Sequence, residues 1–221
     1  MNNPLKKKII IVDDHPIMRK GLVSTLETEQ GYEVTAQFER AEDAILAISE
    51  DKPDLLIVDI SLPGMSGLEL IKNVIFQDSK QKMLVISRHE ESIYAERSLR
   101  AGAKGYMMKF ESSEIFLKAV RKVLNGGIYV SDEIADKLLM SAMSGVKPVL
   151  NSPVDILSDR ELEVFELIGR GKSSNEIADQ LHLAVKTIET YRSRIKEKMD
   201  FKNSTVLVVH AVKWIESEKY I

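Results

Sequence analysis

Cysteine is missing from all 221 residues, which excludes disulfides, zinc–thiolate sites and thiol catalysis. That absence fits a reducing compartment. Long apolar runs are missing too: no uncharged stretch approaches the ~20 residues that a bilayer-crossing helix needs. Lys6-Lys7-Lys8 lead into an apolar stretch, but acids end it at Asp13, too soon for the core of a secretory signal. A cytoplasmic protein without a membrane partner is expected. Neither sign of charge dominates, with 31 Lys and Arg against 34 Asp and Glu and a net charge of −3. Any surface that binds nucleic acid must therefore be local. No internal repeat or low-complexity tract stands out.

Two patterns fill the chain. Residues 1–127 alternate short apolar runs with amphipathic stretches. Strands are expected over 8–13, 33–38, 54–58, 82–86 and 104–108, and helices over 16–29, 41–50, 67–77, 91–101 and 112–125. This alternation implies an α/β fold, a doubly wound five-stranded parallel sheet with helices on both faces. Gly31, Pro53, Gly64, Gly102, Gly105 and Gly126-Gly127 fall between the elements, and Pro16 suits a first helical turn. Residues 128–153 read as a connecting segment. It holds one helix over 131–143, capped by Ser131, and then a Ser, Gly, Pro and Asn-rich stretch from Ser144 to Pro153. Residues 154–221 read as a small all-α domain with helices over 158–169, 174–181, 185–199 and 203–218.

The first domain's chemistry lies where its apolar runs end. Asp13 and Asp14 follow Ile9–Val12, Asp59 follows Leu55–Val58, Ser87 follows Leu84–Ile86, and Lys109 follows Gly105–Met108. In a parallel sheet these stops share one edge, where open α/β sheets bind ligands. Three carboxylates at close range repel one another, and a hard cation such as magnesium relieves that repulsion through oxygen ligands. An aspartate there can act as nucleophile toward phosphorus. Taken singly, Asp13-Asp14 suit a helix cap, Asp59 a loop acid before Pro63-Gly64, and Ser87 and Lys109 are uninformative. The joint pattern carries the weight, with the right residue types at four strand ends.

The second domain's chemistry lies in its third helix. Ser174–Leu181, a break at His182-Leu183-Ala184 and the helix over 185–199 have the spacing of a helix-turn-helix, whose second helix enters the major groove. Ile188, Ile195 and Met199 share the inward face of that helix, with Tyr191 and Arg192 at its margins. Lys186, Glu189, Thr190, Ser193, Arg194 and Glu197 lie opposite. Between 186 and 202 six cations stand against three acids, a local excess in an acidic chain. Such cations contact phosphates, and short side chains such as Thr190 and Ser193 touch base edges. The last helix is apolar nearly all round, which suits either a small core or a homodimer contact.

Two families match these motifs. Residues 5–127 resemble a two-component receiver domain, flavodoxin-like in fold. The matching stretches are Ile-Val-Asp13-Asp14-His15, Val58-Asp59-Ile60-Ser61-Leu62-Pro63-Gly64-Met65-Ser66-Gly67, Ile86-Ser87 and Ala101-Gly102-Ala103-Lys104-Gly105-Tyr106 with Lys109. Residues 157–212 resemble the LuxR-type helix-turn-helix through Leu-Ser-Asp-Arg-Glu-Leu-Glu-Val, Glu176-Ile177-Ala178 and the run Lys186 to Ile195. The pairing is similar to NarL/FixJ-type response regulators.

That resemblance implies Asp59 as phosphoacceptor and Mg2+ on Asp13, Asp14, Asp59 and the Ser61 backbone carbonyl. Ser87 and Tyr106 become the switch pair and Lys109 the phosphate-pairing lysine. It implies DNA contacts from Lys186, Thr187, Glu189, Thr190, Ser193, Arg194 and Lys198. A sensor histidine kinase, double-stranded DNA and a second copy of the chain are the expected partners. The chain is expected to be a regulator that autodephosphorylates, not an enzyme. An aspartate-nucleophile phosphatase would need a second acid two residues after Asp59, where Ser61 stands. An interaction module with a locked receiver is the other rival. Departures from the family pattern are Arg88 after the switch serine, Phe110 after Lys109, Ala184 at the recognition-helix cap, Glu189 for a frequent lysine and Tyr191 for a frequent histidine.

Overall fold

The computed structural model describes residues 6–144 and 156–218. The stretch expected as a flexible connection up to Pro153 lies, apart from Ser144, outside the described residues, as does the expected boundary at 154. The chain divides into two compact units, Met1–Ser144 and Gly145–Ile221.

The first unit is built on five parallel strands: β1 (Lys7–Val12), β2 (Tyr32–Phe38), β3 (Leu55–Val58), β4 (Met83–Ser87) and β5 (Gly105–Met108). Their order is β2-β1-β3-β4-β5. β3 and β4 are buried throughout and β1 is buried from Ile9 to Val12, as continuous Ile, Leu and Val runs require when both sheet faces are covered. β2, at one edge, alternates half-buried and exposed residues.

Helices α1 (Pro16–Glu27) and α5 (Ser113–Leu124) cover one face. There Ile9, Ile11, Leu55, Ile57, Leu84, Ile86 and Met107 pack against Leu22, Leu26, Phe116, Val120 and Val123. Alternate strand residues point the other way. That side carries α2 (Ala41–Asp51), α3 (Gly67–Gln77) and α4 (Glu91–Ala101), with α3 packed between α2 and α4.

α3 starts hard against the strand end that carries Asp59. The Gly67 amide donates to the Ile60 carbonyl at 2.8 Å. A Cβ at Gly67 would stand 1.9 Å from the Asp59 carbonyl oxygen, so only glycine permits this approach. Ser66 and Glu69 form a capping box at the same helix start.

The helix expected in the connecting segment, α6 (Asp132–Ser144), belongs to the first unit and packs on α4. Just before it, Tyr129 forms a parallel bridge with Gly105 and extends the sheet beyond β5.

The second unit contains α7 (Asp159–Gly169), α8 (Ser174–Leu181), α9 (Val185–Lys198) and α10 (Ser204–Glu218). α7 packs on α10, with Phe165 and Trp214 ring centroids 5.6 Å apart. A Cβ at Gly169 would lie 2.4 Å from the Ala211 carbonyl, so glycine sets how closely these helices approach. His182, in the left-handed region (φ 52°), caps the end of α8, and Ala184 stands at the N-cap of α9. The expected three-residue break is therefore a helix-turn-helix corner.

Candidate functional site

Four side chains converge at the carboxyl edge of the sheet. Lys109, buried after β5, reaches Asp13 Oδ2 at 2.7 Å and Asp59 Oδ2 at 2.6 Å. Both aspartates are 3 % exposed or less. Asp14 lies beside them at the β1–α1 turn. Burial pushes the Asp59 carboxyl up to about 6; the Lys109 ammonium pulls it down, and the Asp13 and Asp14 charges push it up.

The surroundings hold this group in place. The Asp13 Oδ1 atom accepts from the His15 amide at 2.8 Å. Arg19 donates to the Asp13 carbonyl and pairs with Glu39 at 2.7 Å, which braces the turn from behind. Glu42 at the start of α2 accepts from the Met65 amide at 2.8 Å and holds the loop after Asp59.

Ligand atoms of Asp13, Asp14, His15 and Asp59 all lie within 4.8 Å of one another. Three carboxylates with one ammonium leave excess negative charge, which fits a hard cation with oxygen ligands. His15 was not singled out as a candidate. Its Nδ1 lies 2.5 Å from Asp14 Oδ1 and 3.9 Å from Asp59 Oδ2. Its place directly after two acids was the available signal.

Ser87 and Tyr106 are both fully buried. Ser87 Oγ accepts from the His89 amide at 3.2 Å. The Tyr106 hydroxyl donates to the His89 carbonyl at 2.7 Å. The Tyr106 phenol therefore lies inside, against the loop that follows β4. His89 was missed by sequence reasoning. Its Nε2 is 2.7 Å from Ser61 Oγ and its ring lies 4.4 Å from that of Tyr94. Arg88 is exposed at the surface, and Phe110 is 78 % exposed.

In the second unit α9 presents two faces. Ile188 and Ile195 are fully buried, and Tyr191, Arg192 and Met199 are half-buried, as the periodicity requires. Lys186, Glu189, Thr190, Ser193 and Arg194 are exposed together, and Thr187 is half-buried. Two of the expected contacts are engaged inside the unit. Glu189 Oε1 lies 2.5 Å from the Ser174 hydroxyl, which ties α9 to α8. Lys198 Nζ lies 2.6 Å from Glu161 Oε2. Burial raises the Glu161 pKa, but Lys198 and the Ser158 cap outweigh it and hold the carboxyl below its usual range.

The comparisons with known proteins agree with this geometry. Residues 9–121 match the response regulator receiver domain, and residues 155–211 match the bacterial regulatory proteins of the luxR family. The chain belongs to the NarL/FixJ-type response regulators. This regulator is 34 % identical over 206 residues to the response regulator GacA of Pseudomonas aeruginosa, covering 93 % of this chain and 95 % of that one. It is 35 % identical over 210 residues to the oxygen regulatory protein NreC of Staphylococcus haemolyticus, covering 93 % and 97 %. Among solved structures, RcsB of Salmonella enterica serovar Typhimurium, bound to promoter rprA with the phosphomimetic BeF3−, matches with a TM-score of 0.61. That match has 25 % identity and covers 94 % of this chain and 98 % of that one. The regulator is a phosphorylation-controlled, DNA-binding transcriptional regulator. Among its described residues no helix is long and apolar enough to cross a membrane.

Proposed function

We propose that Asp59 accepts the phosphoryl group and that this event controls DNA reading by the exposed face of α9. The observation that carries the reading is the buried contact of Lys109 with both Asp13 and Asp59, at 2.7 and 2.6 Å. A phosphohistidine on a partner kinase is the donor. Its P–N bond breaks as an Asp59 oxygen bonds to phosphorus, and the released imidazole takes up a proton from solvent. With its carboxyl pushed up to about 6, Asp59 is ionised at neutral pH and able to attack. Asp13, Asp14, Asp59 and the Ser61 backbone carbonyl would hold Mg2+, whose charge offsets that of the carboxylates and phosphoryl oxygens when it is bound. Lys109 shares that work from the other side. The Ser87 hydroxyl exchanges its contact with the His89 amide for one with a phosphoryl oxygen. Water later hydrolyses the acyl phosphate, so the domain resets itself without acting as an enzyme on other substrates.

In the second unit, Lys186 and Arg194 contact phosphates, while Thr187, Glu189, Thr190 and Ser193 face base edges. Val208 and Val209 on α10 are 38 % and 45 % exposed, which supports a second copy of the chain as the partner that matches two half-sites. The working domains are the receiver (1–127), a connecting segment (128–153) and the DNA-binding domain (154–221), acting in the cytoplasm.

Asp59→Asn tests the reading. The wild-type chain gains the mass of one phosphoryl group from acetyl phosphate with Mg2+ and binds selected DNA more tightly; the variant does neither. Equal DNA affinity with and without phosphodonor in both proteins removes phosphorylation from the account.

A further inference from the structure

Among the described residues, three helices carry a complete capping box: Ser66 with Glu69 on α3, Ser158 with Glu161 on α7, and Ser173 with Glu176 on α8. In each, a serine hydroxyl accepts from the third helical amide while a glutamate reaches back to the serine's own N–H. α6 has the serine without the acid. Ser131 Oγ accepts from the Ile134 amide at 3.3 Å, and Ile134 itself is buried at 6 % exposure. The missing carboxylate comes from another element. The Ser131 amide donates to Glu91 Oε1 at 2.8 Å, and Glu91 is the first residue of α4. The box is split between two helices.

The other end of this connection lies in the phosphoryl pocket. Two residues before Glu91 stands His89, whose amide donates to Ser87, whose carbonyl accepts from Tyr106 and whose ring meets Ser61. A second strut runs parallel to it. The Tyr106 amide donates to the Tyr129 carbonyl at 2.8 Å, and the Tyr129 amide donates to the Lys104 carbonyl at 3.0 Å. The β4–α4 loop and β5 therefore each hold the pocket at one end and the base of α6 at the other. From α6 the chain continues toward the second unit.

We infer that Glu91 transmits the state of the phosphoryl pocket to the output side of the chain by opening and closing the split cap of α6. The cap is closed in the arrangement described above. When Ser87 leaves the His89 amide for a phosphoryl oxygen, the 87–91 loop loses that anchor and Glu91 withdraws from Ser131. The first turn of α6 then loses a cap. This rests on Asp59 being the phosphoacceptor.

Hydrogen exchange of the 132–135 amides in the full-length chain tests it, with Mg2+ and with or without BeF3− or acetyl phosphate. In the wild type the phosphoryl mimic is expected to speed exchange there by about fivefold, the effect of losing one cap. Glu91→Ala is expected to exchange fast in both states, with no further response to the mimic. Glu91→Gln, which keeps an acceptor oxygen, is expected to restore the slow state. Wild-type exchange rates in Glu91→Ala overturn the split cap. A phosphoryl mass gain with unchanged exchange at α6 overturns the coupling alone. No mass gain in the wild type overturns the assignment of Asp59 and the coupling together.

Discussion

Asp59 is buried beside two other carboxylates and one ammonium, and the balance of these charges decides how the first unit responds to pH. Without metal its carboxyl is pushed up to about 6, chiefly by burial, while an unfolded chain leaves it near 3.9. Between those values the native state holds the extra proton. The group therefore adds stability below about pH 4 and loses it as pH rises through 6. At pH 7 in chelator, Asp59→Asn removes the cost of a buried third carboxylate, while Lys109 keeps Asp13 at 2.7 Å. The variant should then be more stable than the wild type by roughly 1–3 kcal/mol, with the gap closing toward pH 4. Urea unfolding from pH 4.5 to 8 in EDTA measures it. A variant less stable at pH 7, or a gap that ignores pH, contradicts this charge balance. Added Mg2+ should stabilise the wild type more than the variant, since ligand binding to the native state raises its stability.

Elements differ in how far local sequence determines them. α3 and α4 occupy the expected residues because their periodicity, the serine that caps α3 and the glycine that ends α4 are local signals. The strand ends shift by one residue at most; in β1, β3 and β4 continuous Ile, Leu and Val runs mark buried parallel strands. What pattern reading missed depends on partners remote in sequence. His89 matters through Ser61 and Tyr106, and the α6 cap through Glu91, which is 40 residues away. The charges of α7 also find their places only in the packed unit: Arg160, Glu163 and Glu166 are each at most 3 % exposed, with Arg160 paired to Glu163 and Glu166 to Arg170. Among the helices whose N-cap makes no side-chain bond, α9 has Ala184 there, a residue with no group able to cap. Its backbone is extended at φ −71° and ψ 142°, the geometry a serine cap also adopts. Ala184→Ser should stabilise the second unit by about 1 kcal/mol. Thermal unfolding followed through Trp214, the only tryptophan, reads this out. An unchanged or lower midpoint would show that the hydroxyl cannot reach the amides of the first turn.

Over the whole molecule the charge is slightly negative, at −3, so general attraction to DNA is weak and affinity depends on a few local cations. Lys186, Arg194 and Lys202 are exposed on or just after α9. Lys198 is turned onto Glu161 at 2.6 Å, and Arg192 lies 3.9 Å from Glu189. Each phosphate neutralised contributes about −0.9 to the slope of log affinity against log salt. With three such cations the slope should be about −2.7 per protomer, half of the roughly −5.4 that the six cations between 186 and 202 would produce if all met phosphates. Fluorescence anisotropy on a selected duplex across a KCl series measures it. Lys186→Met should weaken binding to specific and random duplex alike and flatten the slope by about 1. Lys198→Met should leave the slope unchanged and instead lower thermal stability, because its ammonium neutralises the Glu161 carboxylate that caps α7. If Lys198→Met flattens the slope as Lys186→Met does, the ammonium leaves Glu161 on binding and the α7 cap opens when DNA is read.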